Sequence, residues 1–329
     1  MNKSLVKFKI ENKGKIKILL FVFILISIEI RAQQLSLTTF QNNNPELFNP
    51  SAWNNDILKY SFVPKNEFFS YYRSQWTGFD LGPKYFGCHY NHIGDNKVIS
   101  GIGFIHESFG PLSSSNILGQ YAYKLNLNNR SFISGGLGLG LNFNGYDPTK
   151  ITIRDQDDPI AENSENTFGL TFTPGIFLAS STKKDIAYNI GLSFNNFVSL
   201  LFSKSNNIKE LGVIIFHGSV TKFLSKGYNN LSFYDISLVH RQYKAISDDT
   251  DISFKYQWKG LVSLKSGFRF GLMNEFSAHG VHFDLGIPLS NSLKLNMKGL
   301  DLNYSCELPL GQNGSYFGLS HEFSVGFLF

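Results

Sequence analysis

The sequence predicts an all-β fold, a transmembrane β-barrel of the outer-membrane kind with about fourteen antiparallel strands. Three observations predict it: two-residue alternation in strand after strand, a composition low in charge and high in aromatics, and connections that alternate in length. The alternation is sharpest in the closing stretch, Tyr316 to Phe329. Phe317, Leu319, Phe323, Val325, Phe327 and Phe329 fall on one face, interrupted only by His321. Tyr316, Gly318, Ser320, Glu322, Ser324 and Gly326 fall on the other. A strand sends alternate side chains to opposite faces, so one face here seeks hydrocarbon and the other is small or polar. A half-buried strand of a soluble sandwich would alternate in the same way, so the distinction rests on the rest of the chain.

Composition favours the barrel. Of 329 residues, 17% are charged and 42% hydrophobic, with 32 Phe, 15 Tyr and 30 Gly. A soluble enzyme of this size carries nearer a quarter charged residues. The net charge of +5 sits in the first 17 residues, where Lys3, Lys7, Lys9, Lys13, Lys15 and Lys17 face only Glu11. The body is near neutral and offers no basic footprint for nucleic acid. Cys88 and Cys306 lie far apart with neither a CxxC nor a metal spacing. They read as two unpaired thiols on strand faces.

The chain divides into three parts. Residues 1–32 read as a signal peptide: a lysine-rich start, an apolar core from Ile18 to Ile28, then Glu29 and Arg31. That core is too short to span a bilayer comfortably, which needs about 20 residues. Cleavage is expected after Ala32, with an uncleaved anchor as the alternative. Residues 33–66 carry turn formers in Asn42-Asn43-Asn44-Pro45 and Phe48-Asn49-Pro50 and read as a periplasmic lead-in that packs against or into the barrel. Residues 67–329 form the barrel.

Within it, Ser131–Phe143 places Ile133, Leu137, Leu139, Leu141 and Phe143 opposite Ser134, Gly136, Gly138, Gly140 and Asn142. Thr167–Ala179 and Val281–Ile287 alternate likewise. Tight turns are expected at 94–97, 128–130, 182–185, 226–229, 259–260 and at Ser290-Asn291. Longer connections are expected near 78–83, 109–116, 144–166, 195–209, 242–249, 273–277 and 309–315. Short turns on one side and longer loops on the other are the asymmetry of outer-membrane barrels. An even strand count puts both chain ends in the periplasm. His321 then lies roughly 20 Å above the C-terminus, near the outer edge of the apolar band, where a polar tip is tolerated.

Candidate chemistry is sparse. His321-Glu322 is not HExxH, because Val325 occupies the second histidine position. Gly135 to Gly140 lacks the Gly-Lys-Ser/Thr ending of a phosphate loop. On an inward face those glycines make room in the lumen. Asp155-Gln-Asp-Asp158 and Asp248-Asp-Thr-Asp251 lack the glycine and glutamate of a calcium loop and read as solvated loops. No catalytic, metal or cofactor site is expected.

One stretch is more specific. Tyr72-Arg73-Ser74-Gln75-Trp76-Thr77-Gly78-Phe79-Asp80-Leu81-Gly82-Pro83-Lys84 resembles the YRSQW-x-GF-x-x-x-PK signature of the PorP/SprF family, outer-membrane proteins associated with type IX secretion and gliding motility. Phe48-Asn49-Pro50-Ser51-Ala52, the stretch from Ile102 to Leu125, and Leu319 to Phe327 are similar to further family segments. Ser266 to Arg269 matches only in part, and 284–306 departs from the pattern, so the loops look divergent. The resemblance implies a barrel that helps secrete or anchor an adhesin-like cell-surface cargo bearing a C-terminal secretion domain. It also implies contact with other secretion components and with outer-membrane lipid. A solute-transport barrel is the alternative, and a purely structural barrel a third.

Read physically, Arg73 and Gln75 share a face with Tyr71. An arginine facing lipid at mid-membrane costs about 2–4 kcal/mol, so Arg73 should face the lumen and pair with an acid, Asp284 or Glu322. Trp76 then falls at the outer interfacial girdle. Tyr72, Arg73, Gln75, Trp76, Gly78, Phe79, Pro83 and Lys84 are the candidate partner-binding or structural residues. His321, Glu322 and Phe329 are the candidates for barrel closure.

Overall fold

The computed structural model describes residues 38–42, 44–52, 65–94, 97–150, 166–182, 185–202, 212–225, 231–243, 247–273, 276–289, 299–310 and 314–329. The expected signal peptide and the Asp155–Asp158 cluster lie outside them.

The strands are β1 (Asn66–Ser74), β2 (Lys84–Gly94), β3 (Val98–Phe109), β4 (Leu112–Asn128), β5 (Ser131–Tyr146), β6 (Asn166–Ser181), β7 (Ile186–Asn195) and β8 (Val198–Leu201). They continue as β9 (Val213–Ser225), β10 (Ser232–Tyr243), β11 (Ser247–Trp258), β12 (Val262–Gly271), β13 (Ser277–Pro288), β14 (Gly299–Pro309) and β15 (Ser320–Leu328). Consecutive strands pair antiparallel except at β8, which pairs with β6 while β7 pairs with β9, and β1 pairs with β15, so the sheet closes. Short β8 prolongs β7 along β6 after a break at Asn196, whose φ is 53°. The closed ring therefore has fourteen members, as the alternation predicts. With strands about 4.8 Å apart and tilted about 40°, such a ring is roughly 28 Å across at the backbone.

The alternation fixes the two faces. Leu139, Phe283, Ile102 and Leu264 point outward and are more than half exposed. The buried set is dominated by polar residues, among them Arg73, Arg241, His282, Asp251 and Glu322. Apolar outside and polar inside is the inverse of a soluble core and is what lipid demands. Cys88 and Cys306 are free and half-buried on outward positions of β2 and β14.

Several connections depart from expectation. Phe109 pairs directly with Leu112, so Gly110-Pro111 makes a two-residue hairpin where a longer loop is expected; Gly110 takes the positive φ of 54° that this turn requires. β10 and β11 are joined by only 244–246, because Asp248 to Asp251 belong to the strand. β13 ends at Pro288 and β14 begins at Gly299, and the tight turn expected at Ser290-Asn291 lies outside the described residues. Long and short connections alternate less regularly than the sequence implies.

The described part of the lead-in runs inside the ring. Thr38 and Thr39 bond Glu322 of β15, and the carbonyl of Thr39 accepts from Lys265 Nζ of β12. Phe40 packs among Phe69, Tyr71 and Tyr85, while Phe48 packs on Ile215 and Val239. Ala52 sits with Ile93, Ile99, Ala122, Phe132, Phe177 and Ala179, at the end of the barrel where β1 starts and β15 stops.

Inward glycines make this possible. A Cβ on Gly136 would lie 2.6 Å from Ser51 N, and one on Gly175 would lie 2.2 Å from Asn49 Oδ1. Gly136→Val is accordingly expected to destabilise the folded chain by about 1–3 kcal/mol through overpacking against backbone. Gly135→Val, next door on the open outer face, should be tolerated. Urea unfolding of the two variants in lipid vesicles checks this, and equal stability would contradict the packing.

Candidate functional site

Arg73 anchors the site. Its place on β1 aims it inward, where it is fully buried. Nη2 donates to Glu307 Oε2 at 2.7 Å and Nη1 to Glu322 Oε2 at 3.2 Å. Glu322 stands directly across the β1–β15 seam in the strand register. Of the two acids expected for Arg73, Glu322 is a partner and Asp284 is not. Asp284 instead pairs with Lys265 Nζ at 2.7 Å and with His282 Nδ1 at 3.3 Å. Glu307 is a partner that the sequence reading misses.

The pair belongs to a larger network. Arg269 Nη1 donates to both Glu307 oxygens at 3.1 Å, and its Nη2 reaches Asp251 Oδ2 at 3.4 Å. Asp251 Oδ2 also meets His282 Nε2 at 3.1 Å. Arg241 Nη1 holds Asp249, which also meets His279 Nδ1 at 3.2 Å. The Asp248–Asp251 cluster is thus not a solvated loop. Asp249 and Asp251 are inward residues of β11 that charge pairing draws into the lumen. Asp248, on the other phase, accepts the backbone N–H groups of Leu272 and Met273.

Burying these charges is costly unless they are paired, so each explains the next. All of them come from β10–β15 and β1, one continuous arc of the wall. The arc from β4 to β9 presents chiefly Gly, Ser, Thr and Asn, including Ser134, Gly136, Thr173, Gly175, Gly191 and Ser193.

The N-terminal segment bridges the two arcs. Its start is held by Glu322 and Lys265. At its other end Asn49 Nδ2 donates to Ile176 O at 3.1 Å and contacts His217 Nε2 at 2.9 Å. Asn49 Oδ1 accepts from Ser51 N at 3.0 Å and Ser51 Oγ at 2.6 Å. Ser193 Oγ donates to Phe48 O at 2.9 Å and Ser134 Oγ to Ser51 O at 2.6 Å. Between these ends Glu46 meets His89 Nε2 at 3.1 Å.

The rest of the signature is a latch over the seam. Gln75 N donates to Pro83 O at 2.8 Å, and Gly82 N to Phe79 O at 2.9 Å, which folds the link into β2. Thr77 N donates to Leu319 O at 2.9 Å and Gly78 N to Phe317 O at 3.0 Å. The Trp76 ring stacks on Phe317 with centroids 4.9 Å apart, and Phe79 meets Phe317 edge-on at 6.3 Å. Tyr72 and Lys84 are exposed, while Gln75 and Pro83 are buried. His321 points outward beside Tyr304, whose hydroxyl lies 2.8 Å from His321 Nδ1. Phe329 closes the opposite end of the seam, exchanging backbone bonds with Asn66 at 2.9 and 3.0 Å. Among the described residues no group of side chains is arranged to hold a metal ion.

A closed antiparallel barrel with an apolar exterior and a charged, filled lumen is an outer-membrane β-barrel. The family model described as type IX secretion system membrane protein PorP/SprF matches residues 30–327, and the chain belongs to that family. Similar solved structures include the CymD monoaromatic hydrocarbon channel, with 10% identity, TM-score 0.46, 82% of this chain and 89% of that one. Another is the Pseudomonas putida toluene transporter TodX, with 9% identity, TM-score 0.41, 87% of this chain and 94% of that one. Among curated proteins none matches the sequence.

Arg73→Ala should cost about 3–5 kcal/mol, because Glu307 and Glu322 lose a buried partner. Arg73→Lys should recover part of this, since one ammonium cannot reproduce the guanidinium fork. Equilibrium unfolding in vesicles would show it, and an Arg73→Ala barrel as stable as the parent would refute the pairing. Gly318→Ala should also weaken closure, because its φ of 75° and a Cβ 2.7 Å from Gly78 N both resist a side chain.

Proposed function

We propose that this protein is an outer-membrane accessory of type IX secretion that binds a cell-surface cargo protein and helps to secrete or anchor it. Membership of the PorP/SprF family, over nearly the whole chain, carries the reading. The filled lumen supports it, because a barrel crossed by its own chain is poorly suited to act as a constitutively open solute pore. The cargo is an adhesin-like protein with a C-terminal secretion domain, and the outward connections of the barrel are the surfaces open to it. Gliding motility and contact with other secretion components belong to the same reading. So does removal of residues 1–32, with residues 33–66 as the lead-in and 67–329 as the barrel.

Within it, Arg73, Gln75, Trp76, Gly78, Phe79 and Pro83 act first by closing the barrel, while the exposed Tyr72 and Lys84 are open to lipid or to a partner. His321, Glu322 and Phe329 act on the other side of the same seam. Affinity purification of the tagged protein from detergent-solubilised outer membranes, with mass spectrometry of bound partners, tests the proposal. One abundant large secreted protein in fixed ratio is the expected result. A barrel recovered without such a partner, but passing small solutes in liposomes, would favour transport instead.

A further inference from the structure

The lumen holds a second feature that secretion accessory work does not use. We propose that the barrel wall encloses a latent, water-filled path for ions and small hydrophilic solutes, and that residues Thr38–Ala52 are a withdrawable plug that keeps it shut.

Four observations carry this. First, the wall is complete without the segment: the fourteen-membered ring closes through β1–β15 and β5–β6, and no described residue from 38 to 52 takes part in the sheet. Removing the segment breaks no ladder.

Second, the segment spans the bore. It is fixed at one end to Glu322 and Lys265 and at the other to Ile176 O, Ser193 and Ser134, on the opposite arc. The polar attachments are hooks that water could replace in an open lumen, and the apolar contacts of Phe40, Leu47, Phe48 and Ala52 favour the seated position.

Third, the surface beneath it suits water. The inward side chains are largely charged on one arc and chiefly glycine, serine, threonine and asparagine on the other, with apolar patches such as Phe69–Tyr71–Tyr85 and Ile215–Val239 that the segment covers while it is in place. A ring roughly 28 Å across at the backbone is wide enough for an aqueous channel once this filling leaves. A cavity of about 80 Å³ already lies at the termini end, between Glu46 and wall residues such as Glu67, Lys255 and Asp301.

Fourth, the connectivity permits withdrawal. The segment runs from the level of the Arg73–Glu322 pair down to the Ile93–Ala122 cluster at the termini end. Its downstream end joins β1 at that same end through 53–65, a length of chain that can extend about 40 Å. The plug can leave toward the side on which its tether to β1 lies.

Planar-bilayer recording in potassium chloride tests the proposal, using the full mature chain, a Thr38–Ala52 deletion, and a triple variant Thr38→Ala, Thr39→Ala, Asn49→Ala. The triple variant alters only the plug and leaves every wall residue in place. Folding of each is judged by heat-modifiable electrophoretic mobility. The full chain should be closed nearly all the time. The folded deletion variant should raise mean conductance by about tenfold or more, as expected of an unplugged barrel of this width. The triple variant should open more often, with steps as large as those of the deletion. A folded deletion variant as silent as the full chain would overturn the proposal, as would a full chain that conducts as freely as the deletion. Should the deletion variant not fold, the triple variant decides, and an unchanged opening frequency overturns it. None of these readouts depends on cargo, so failure here and failure of partner capture are separate results.

Discussion

The structure depends on one requirement, that charges inside the ring be paired to one another. Arg73 meets it at the point where the ring must close. Lipid offers no partner for a polar group, and a crowded lumen offers little water, so the guanidinium is stable only between Glu307 and Glu322. This fixes more than a side chain. Arg73 and Glu322 are opposite in the β1–β15 register, and a slip of one residue would turn one of them toward lipid. The first and last strands, 249 positions apart at this pair, thereby acquire a single register. The pairing then spreads from Glu307 to Arg269, Asp251, His282, Asp284 and Lys265, so the charged arc is one connected body rather than a set of independent bridges.

The same requirement explains where the apolar packing inside the barrel is found. Polar side chains dominate the lumen face, but the wall also offers apolar patches, among them Ile93, Ile99, Phe132 and Phe177. Three of the four buried apolar clusters include the N-terminal segment, through Ala52, through Phe40 and Leu47, or through Phe48 and Leu47. The segment supplies hydrocarbon that covers apolar patches of the wall such as Phe69–Tyr71–Tyr85 and Ile215–Val239. Gly136, Gly175 and Gly191 give it room where any side chain would collide with its backbone or with Asn49 and His217.

Much of this was legible in the sequence, because alternation is a local property. The outward and inward phases of 131–143, 167–179, 281–287 and 320–328 follow from reading every second residue, and so does the inward aim of Arg73. The strand expected from Tyr316 begins only at Ser320, because Gly314–Phe317 form a short helical turn and Gly318 takes a positive φ. The pairing partners were less accessible. Glu307 and Arg269 lie on the lumen phase of their strands, so phase alone would have nominated them, but which acid meets which base depends on strand neighbours. Asp248 to Asp251 resemble a loop because acids are rare in strands. Only the presence of Arg241, Arg269 and His282 on flanking inward positions makes them strand residues. That Phe48 to Ala52 pack against or into the barrel was expected, but their contacts were out of reach, since an irregular segment shows no period and its fit depends on glycines in β5, β6 and β7.

The signature Tyr72–Lys84 carries the strongest sequence resemblance, and its geometry constrains how its function can be read. Trp76, Gly78 and Phe79 are engaged with 316–319 across the seam, and Arg73 with the charged arc. A change at any of them acts first on closure, because these contacts join the two ends of the chain and no neighbouring hairpin can replace them. Loss of cargo capture in such a variant therefore identifies a contact residue only when unfolding and mobility show the ring intact. Tyr72 and Lys84 are different. Both are exposed, and neither contributes a side chain to the latch described for Trp76 and Gly78. Tyr72, on the outer face among the apolar positions of β1, belongs with lipid. Lys84 lies exposed at the rim where β2 begins, so a change there leaves the seam contacts in place.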